Sequence, residues 1–265
     1  MRIIRELFAL TFEIICARMN NRQRKILAAV IEEYTNTAIP AGSKVLARKY
    51  DFGVSSATIR NDMSALEKEG YLYRPHISSG RIPTDKGYRY FVEEMMKDRE
   101  LTKREQIKLK EELLKLRAKN ARISRTAAKL LSALSGNLAV SGVLDRDEFC
   151  NFGMSELMEE PEFRELDEVC RLAEILDYID EKFDQIIDEV KEGETKIFIG
   201  RENPVNEMSG CSMVVSPYKL KSGEKGILAL IGPKRMRYAK NKSLIEYVKK
   251  ILGGAAVMAI FFINY

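Results

Sequence analysis

The chain has 265 residues, 45% of them apolar and 31% charged, with a formal net charge of +5 and a pI near 8.9. That length and balance exclude a largely disordered chain, predict two or three domains, and leave a polyanionic partner open without requiring one. The four cysteines, Cys16, Cys150, Cys170 and Cys211, form no CxxC pair, and His76 is the single histidine, which argues against a zinc site and for reduced thiols in the cytoplasm.

Residues 1–18, MRIIRELFALTFEIICAR, are partly apolar, but Arg5, Glu6 and Glu13 interrupt them, so neither a membrane span nor a signal peptide is expected. The segment reads as an upstream extension ahead of Met19, with an amphipathic interaction helix as the functional alternative. Asn20 or Asn21 caps a helix running to about Thr37, with Ile26, Val30, Ile31 and Tyr34 on its apolar face. Ile39 to Gly42 ends it. Ser43 is expected to cap a short helix, KVLARKY, that points Val45 and Leu46 inward.

A third helix follows, capped by Ser55 and stopped by Gly70, with an apolar stripe at Ile59, Met63 and Leu66. Its free face carries Ser56, Arg60, Asn61 and Ser64, with Thr58 at the edge, side chains suited to base edges and phosphates. Tyr71 to Arg74 then reads as one strand of a hairpin, Pro75 to Arg81 as its polar tip and Ile82 with Pro83 as the return. Arg74 and Arg81 bracket His76, Ile77, Ser78, Ser79 and Gly80, so cations and hydroxyls are expected to face phosphates or the minor groove, with Gly80 able to adopt a positive φ if the turn needs one. Thr84 and Asp85 begin another helix.

This order predicts a winged helix-turn-helix domain over residues 19–98 that binds double-stranded DNA. Its candidate contacts are Lys44, Ser55, Ser56, Thr58, Arg60, Asn61, Ser64, Arg74, His76, Ser78, Ser79 and Arg81. A winged helix used only for protein contact is the alternative.

Residues 99–136 read as a helical connector. Lys103 to Asn120 is densely charged around Ile107, Leu113, Leu114 and Leu116, and Ile123, Ala127, Leu130, Leu131 and Leu134 make a more apolar second half suited to a core or a dimer seam. Only a short segment such as LDRDEFCNFG separates the helix ending near Gly136 from one beginning near Ser155. Beyond Gly193 three runs read as strands, Lys196 to Gly200, Cys211 to Ser216 and Gly226 to Ile231, followed by a helix from about Tyr238 to Leu252.

The motif IGPKRM, Ile231 to Met236, reads as a strand-to-helix turn. The tail GGAAVMAIFFINY is too short to span a bilayer and is expected to pack on the last domain or a partner subunit. The fold class is therefore α+β. No paired carboxylates, metal-ligand cluster, phosphate loop or nucleophile motif stands at interpretable spacing, so neither an enzyme nor a cofactor is expected.

Two blocks carry a resemblance. GSKVLARKY with VSSATIRNDMSALEKEGYLYRPHISSGRIPTDKGYRYFV, and later PEFRELDEVCRLAEIL with IFIGRENPVNEMSGCSMVVSPY and GILALIGPKRMRYAKNKSLIEYV, closely resemble the heat-inducible transcription repressor family HrcA. The resemblance implies a winged-helix domain followed by a GAF-like domain over residues 137–265. It also implies repression of chaperone operons through an inverted-repeat operator, the CIRCE element, bound as a homodimer and modulated by the GroEL chaperonin. Relative to that family the middle region is shortened, so a reduced GAF-like sheet is expected. A small-ligand sensor in that domain, or a protein-binding adaptor, is the alternative function.

Overall fold

The computed structural model describes residues 19–117, 123–146, 148–164, 166–177 and 179–253. The readings made for residues 1–18, Cys16 included, and for the apolar tail beyond Gly253 lie outside the described residues, as do the side chains of Leu113, Leu114 and Leu116. The chain divides into two compact units, Met1–Met95 and Met96–Tyr265. The architecture is α+β.

In the first unit, helix α1 (Asn21–Thr37) starts at an Asn20 N-cap whose side chain accepts from Gln23 N while Gln23 reaches back to the Asn20 amide. That reciprocal pair satisfies two otherwise unpaired amides at the helix start. Ile26 and Val30 are fully buried and Ile31 nearly so, whereas Tyr34 is only half-buried. Helix α2 (Ser43–Lys49) has Gly42, not Ser43, at its N-cap, with Ser43 buried as the first helical residue. Leu46 points inward as expected, but Val45 is 38% exposed. Seven residues make only two turns, and one inward position per turn leaves the adjacent Val45 outside.

Helix α3 (Ser56–Lys68) is capped by Ser55 Oγ, which accepts from Thr58 N at 3.2 Å. Ile59, Met63 and Leu66 are all fully buried, so the four-and-three spacing sets the inner face. Gly70, at φ +78°, ends the helix in a conformation that side chains with a Cβ disfavour. Strands β1 (Leu72–Tyr73) and β2 (Ile82–Pro83) then pair antiparallel, with Leu72 opposite Pro83. A further bridge joins Ala41 to Arg81 through two backbone hydrogen bonds of 2.9 Å, fixing the hairpin to the start of α2. Helix α4 (Asp85–Tyr90), capped by Thr84, continues into a π-helical turn over Phe91–Met95.

The second unit is a five-stranded sheet covered on both faces. Helices α5 (Lys103–Arg117) and α6 (Ile123–Ser135) precede strands β3 (Leu138–Val143) and β4 (Glu148–Phe152). Helices α7 (Met154–Glu159), α8 (Leu166–Asp177) and α9 (Ile179–Asp188) lead to β5 (Lys196–Ile199), β6 (Cys211–Lys219), β7 (Lys225–Pro233) and α10 (Tyr238–Leu252). The strand order is β4-β3-β7-β6-β5, with every neighbouring pair antiparallel.

One sheet face, through Leu138, Val140, Met213, Val215, Ile227 and Ala229, packs with Phe163, Ile175 and Phe183. The alternating residues Val214, Leu228 and Leu230 are equally buried, and α6 and α10 pack against the sheet strands. A strand covered on both faces loses its apolar and polar alternation. That is why β6 and β7 are legible as strands only from their continuous apolar runs.

The three strands expected beyond Gly193 are present; β5 ends at Ile199, one residue short of its expected limit, and β6 and β7 run past theirs. The expectation for residues 137–152 requires correction. Rather than a mere connecting segment, they form the β3–β4 hairpin, in which Ser141 pairs with Cys150, and β3 also pairs along β7 from Leu138↔Ile231 to Val143↔Gly226. The charged helix α5 is not solvated all round either, since Leu109 is fully buried and Tyr247 Oη donates to Gln106 O at 3.2 Å. Among the described residues no helix is long and apolar enough to cross a membrane.

Candidate nucleic-acid interface

The first unit gathers most of the residues singled out in the sequence on one polar helix face and one hairpin. Burial of Ile59, Met63 and Leu66 rotates Arg60 and Asn61 outward, and both are exposed, whereas Ser56, Thr58 and Ser64 are half-buried. Ser55 and Thr58 engage one another, Oγ to Oγ1 at 3.1 Å, so their hydroxyls hold the helix start rather than standing free. Lys44 on α2 is exposed. Asp62, the one acid in the first half of α3, is buried and paired with Arg22 on α1, at 2.7 Å from Nε to Oδ2 and 3.3 Å from Nη2 to Oδ1. The Asp62 hydrogen bond and charge push the Arg22 guanidinium above its ordinary pKa. This pairing was not anticipated from the sequence; its signal was an acid placed one residue from the inward Met63.

The hairpin tip is a braced turn. Ser79 Oγ accepts from His76 N at 3.0 Å and donates to His76 O at 2.7 Å, and Arg74 Nη1 donates to Ile77 O at 3.2 Å. His76 and Ser78 are exposed, while Arg74 and Ser79 are half-buried. Gly80 does not adopt a positive φ. A Cβ there would stand 2.4 Å from the carbonyl carbon and oxygen of Ala41, so its role is close approach rather than a left-handed turn.

Arg81 departs most from expectation. It is 5% exposed, with Nε donating to Glu67 Oε2 at 2.9 Å and Nη2 donating to Ser64 Oγ at 2.9 Å. Two of the five guanidinium N–H donors are spent on α3 side chains, and at this burial the group presents almost no surface to a phosphate. Arg81 therefore fixes the hairpin to α3 instead of forming part of the exposed cationic tip, and it takes Ser64 with it. Ser64, Glu67 and Arg81 lie on one side of the helix, and the pairing signal was Glu67, three residues after Ser64.

In the second unit several polar groups are paired inwardly: Ser212 Oγ lies 2.8 Å from Tyr238 Oη, and the half-buried Lys249 donates from Nζ to Ser216 Oγ at 2.9 Å and to Gly193 O at 2.8 Å. Desolvation lowers the pKa of that ammonium. In the IGPKRM turn, Arg235 donates to Glu162 at 2.7 and 3.0 Å and also to Glu160. Burial alone would lower the Arg235 pKa, but its two carboxylate partners outweigh this and raise it. Among the described residues no group of three or more His, Cys, Asp or Glu side chains is placed to hold a metal ion.

Comparison with known proteins defines the class as that of transcription repressors. The family described as "HrcA protein C terminal domain" matches residues 87–241, more than half of the chain. The heat-inducible transcription repressor HrcA of Carboxydothermus hydrogenoformans is 26% identical over 333 aligned positions, covering 88% of this chain and 97% of that relative. The protein of the same name from Synechococcus elongatus is 43% identical over 125 residues, 47% of this chain and 35% of the relative. A solved structure titled as a hypothetical protein aligns with a TM-score of 0.68 at 20% identity, over 89% of this chain and 98% of the other, and so shares the fold.

The chain belongs to the HrcA family, the heat-inducible transcription repressors. The alignment of 333 positions exceeds the 265 residues of this chain, so stretches of the longer relative have no counterpart here.

Proposed function

We propose that the protein is a cytoplasmic DNA-binding repressor of chaperone operons, whose first unit is a winged helix and whose second is a reduced GAF-like domain serving regulation and dimerisation. Helix α3 enters the major groove with Arg60 and Asn61 reading base edges and Ser56 close to the backbone, and Lys44, Arg74, His76 and Ser78 meet flanking phosphates. Ser55, Thr58, Ser64, Ser79 and Arg81 hold this surface in shape. Two copies related by a two-fold axis match an inverted repeat of the CIRCE type, and the GroEL chaperonin modulates the repressor, as the family resemblance implies.

The observation that carries this reading is the outward Arg60–Asn61 pair on a helix whose opposite face is completely buried, beside a hairpin bonded to that helix. In vitro selection of duplexes bound by the full chain tests it. The expected product is an inverted repeat whose half-sites lie about 34–36 Å apart, one helical turn, or a multiple of that. Recovery of unrelated sequences with no common half-site would remove the DNA-reading assignment.

A further inference from the structure

Ile77 is 94% exposed at the apex of the hairpin, more than any other large apolar side chain among the described residues. A lone exposed apolar residue needs no explanation by itself. Ile77, however, sits on a backbone braced from three directions. Arg74 donates to its carbonyl at 3.2 Å, Ser79 closes the turn on the backbone N–H and carbonyl of His76, and the Ala41–Arg81 bridge ties the base of the hairpin to the start of α2. Gly80 seats directly on the Ala41 backbone, with no room for a side chain between them. The β-branched side chain adds stiffness at χ1. The tip thus holds one aliphatic group at a fixed height above the unit, with the Arg74 cation behind it and the Ser78 hydroxyl beside it.

An apolar side chain on a rigid cationic arm is the device that enters a minor groove and parts a base step. We propose that Ile77 is such a wedge, entering the minor groove beside the bases that α3 reads and partly unstacking one step. The inference rests on the DNA-binding reading above. Its energetic logic is that removing the Ile77 surface from water offsets the cost of unstacking. Ile77 therefore contributes at one position of the site without any hydrogen bond to a base. Specificity there follows from how easily a step opens, which favours flexible pyrimidine–purine steps.

The test uses the full chain, its Ile77→Ala and Arg74→Ala variants, and the duplex selected by the wild-type protein, carrying 2-aminopurine at successive steps flanking each half-site. Wild-type protein is expected to raise the fluorescence at one step. Ile77→Ala should abolish that rise and weaken binding about tenfold, as expected for losing most of a buried aliphatic group, with an unchanged salt slope. Arg74→Ala, which removes a cation and one of the three braces of the tip, should lower the rise without abolishing it and reduce the salt slope by about 1.

Because Ile77 packs against nothing, its variant should melt at the wild-type temperature. A wild-type chain that binds the duplex, with Ile77→Ala giving the same fluorescence and affinity, overturns the wedge and leaves DNA reading intact. A wild-type chain that binds no duplex overturns both. An Ile77→Ala variant with unchanged DNA binding but a lower sedimentation mass assigns the tip to contact between copies, and also overturns the wedge.

Discussion

Arg81 at the base of the hairpin donates to Glu67 in α3 at 2.9 Å, and this contact makes the helix and the hairpin one rigid surface. The Arg81 side chain is 6% exposed and that of Glu67 33%, so the pair is largely sheltered on the cationic side only. Replacing Arg81 by Ala leaves the Ser64 hydroxyl without this partner and lets Glu67 rehydrate. The expected loss of folding stability is about 1–3 kcal/mol, the cost of removing charged hydrogen bonds from a partly buried site. Denaturant unfolding of the variant checks it. At equal occupancy, the salt slope of DNA binding should stay at the wild-type value, because Arg81 neutralises no phosphate. A slope reduced by about 1 with unchanged stability would return Arg81 to the DNA.

Gly80→Ala tests the seating of the hairpin on Ala41 without altering any charge. The added Cβ would meet Ala41 backbone atoms at 2.4 and 2.4 Å, and the Pro40 carbonyl oxygen at 2.5 Å, so the hairpin must move. Overpacking of this kind costs about 1–3 kcal/mol. Thermal melting should reveal the loss, and amide exchange at Ala41 and Arg81, whose mutual bonds close the bridge, should accelerate. Wild-type protection at both amides would show that the hairpin absorbs the methyl group elsewhere.

Arg60 carries the sharpest expectation for specificity. If its guanidinium spans a guanine edge, Arg60→Ala weakens binding by about 1–3 kcal/mol and relaxes preference at a single base pair. Competition titrations with duplexes substituted one position at a time would locate that pair. Uniform weakening across all substituted duplexes would instead make Arg60 a phosphate contact.

In the second unit, Arg235 joins the turn after β7 to Glu160 and Glu162. Its side chain is 9% exposed, against 31% and 29% for the two carboxylates. Arg235→Ala should cost about 2–4 kcal/mol, below the full penalty for breaking a buried pair because the acids can rehydrate. Arg235→Lys should recover little of this, since an ammonium cannot span both partners in the plane of a guanidinium fork. Chemical denaturation followed by near-ultraviolet dichroism reads both variants. Full rescue by lysine would mean that charge alone, not the fork, holds the turn.

Parts of this structure were legible in the sequence because the causes are local. The Asn20 and Ser55 caps, the Ile59–Met63–Leu66 stripe and the Gly70 stop each depend on residues within one or two turns, and each is found where the spacing put it. The largely apolar runs at Lys196–Gly200, Cys211–Ser216 and Gly226–Ile231 marked the strands that form at Lys196–Ile199, Cys211–Lys219 and Lys225–Pro233. What escaped depends on distant partners. The β3 strand is fixed by β7, and its sequence LAVSGV carries neither alternation nor a long apolar run. The inward turn of Arg81 needed Glu67 to be in place, and the pairing of Asp62 needed Arg22, forty residues away in sequence. For an isolated arginine in a polar hairpin, composition alone favours the exposed reading.

The central claim is that α3 and its hairpin read a two-fold-symmetric duplex. The most direct measurement is an anisotropy titration of the full chain against a selected inverted repeat, a single half-site and a scrambled duplex, each at two salt concentrations. The predicted result is binding of two chains to the repeat, at least about a thousandfold tighter than to the scrambled duplex, with affinity falling steeply as salt rises. Equal affinity for all three duplexes, or binding indifferent to salt, would contradict it.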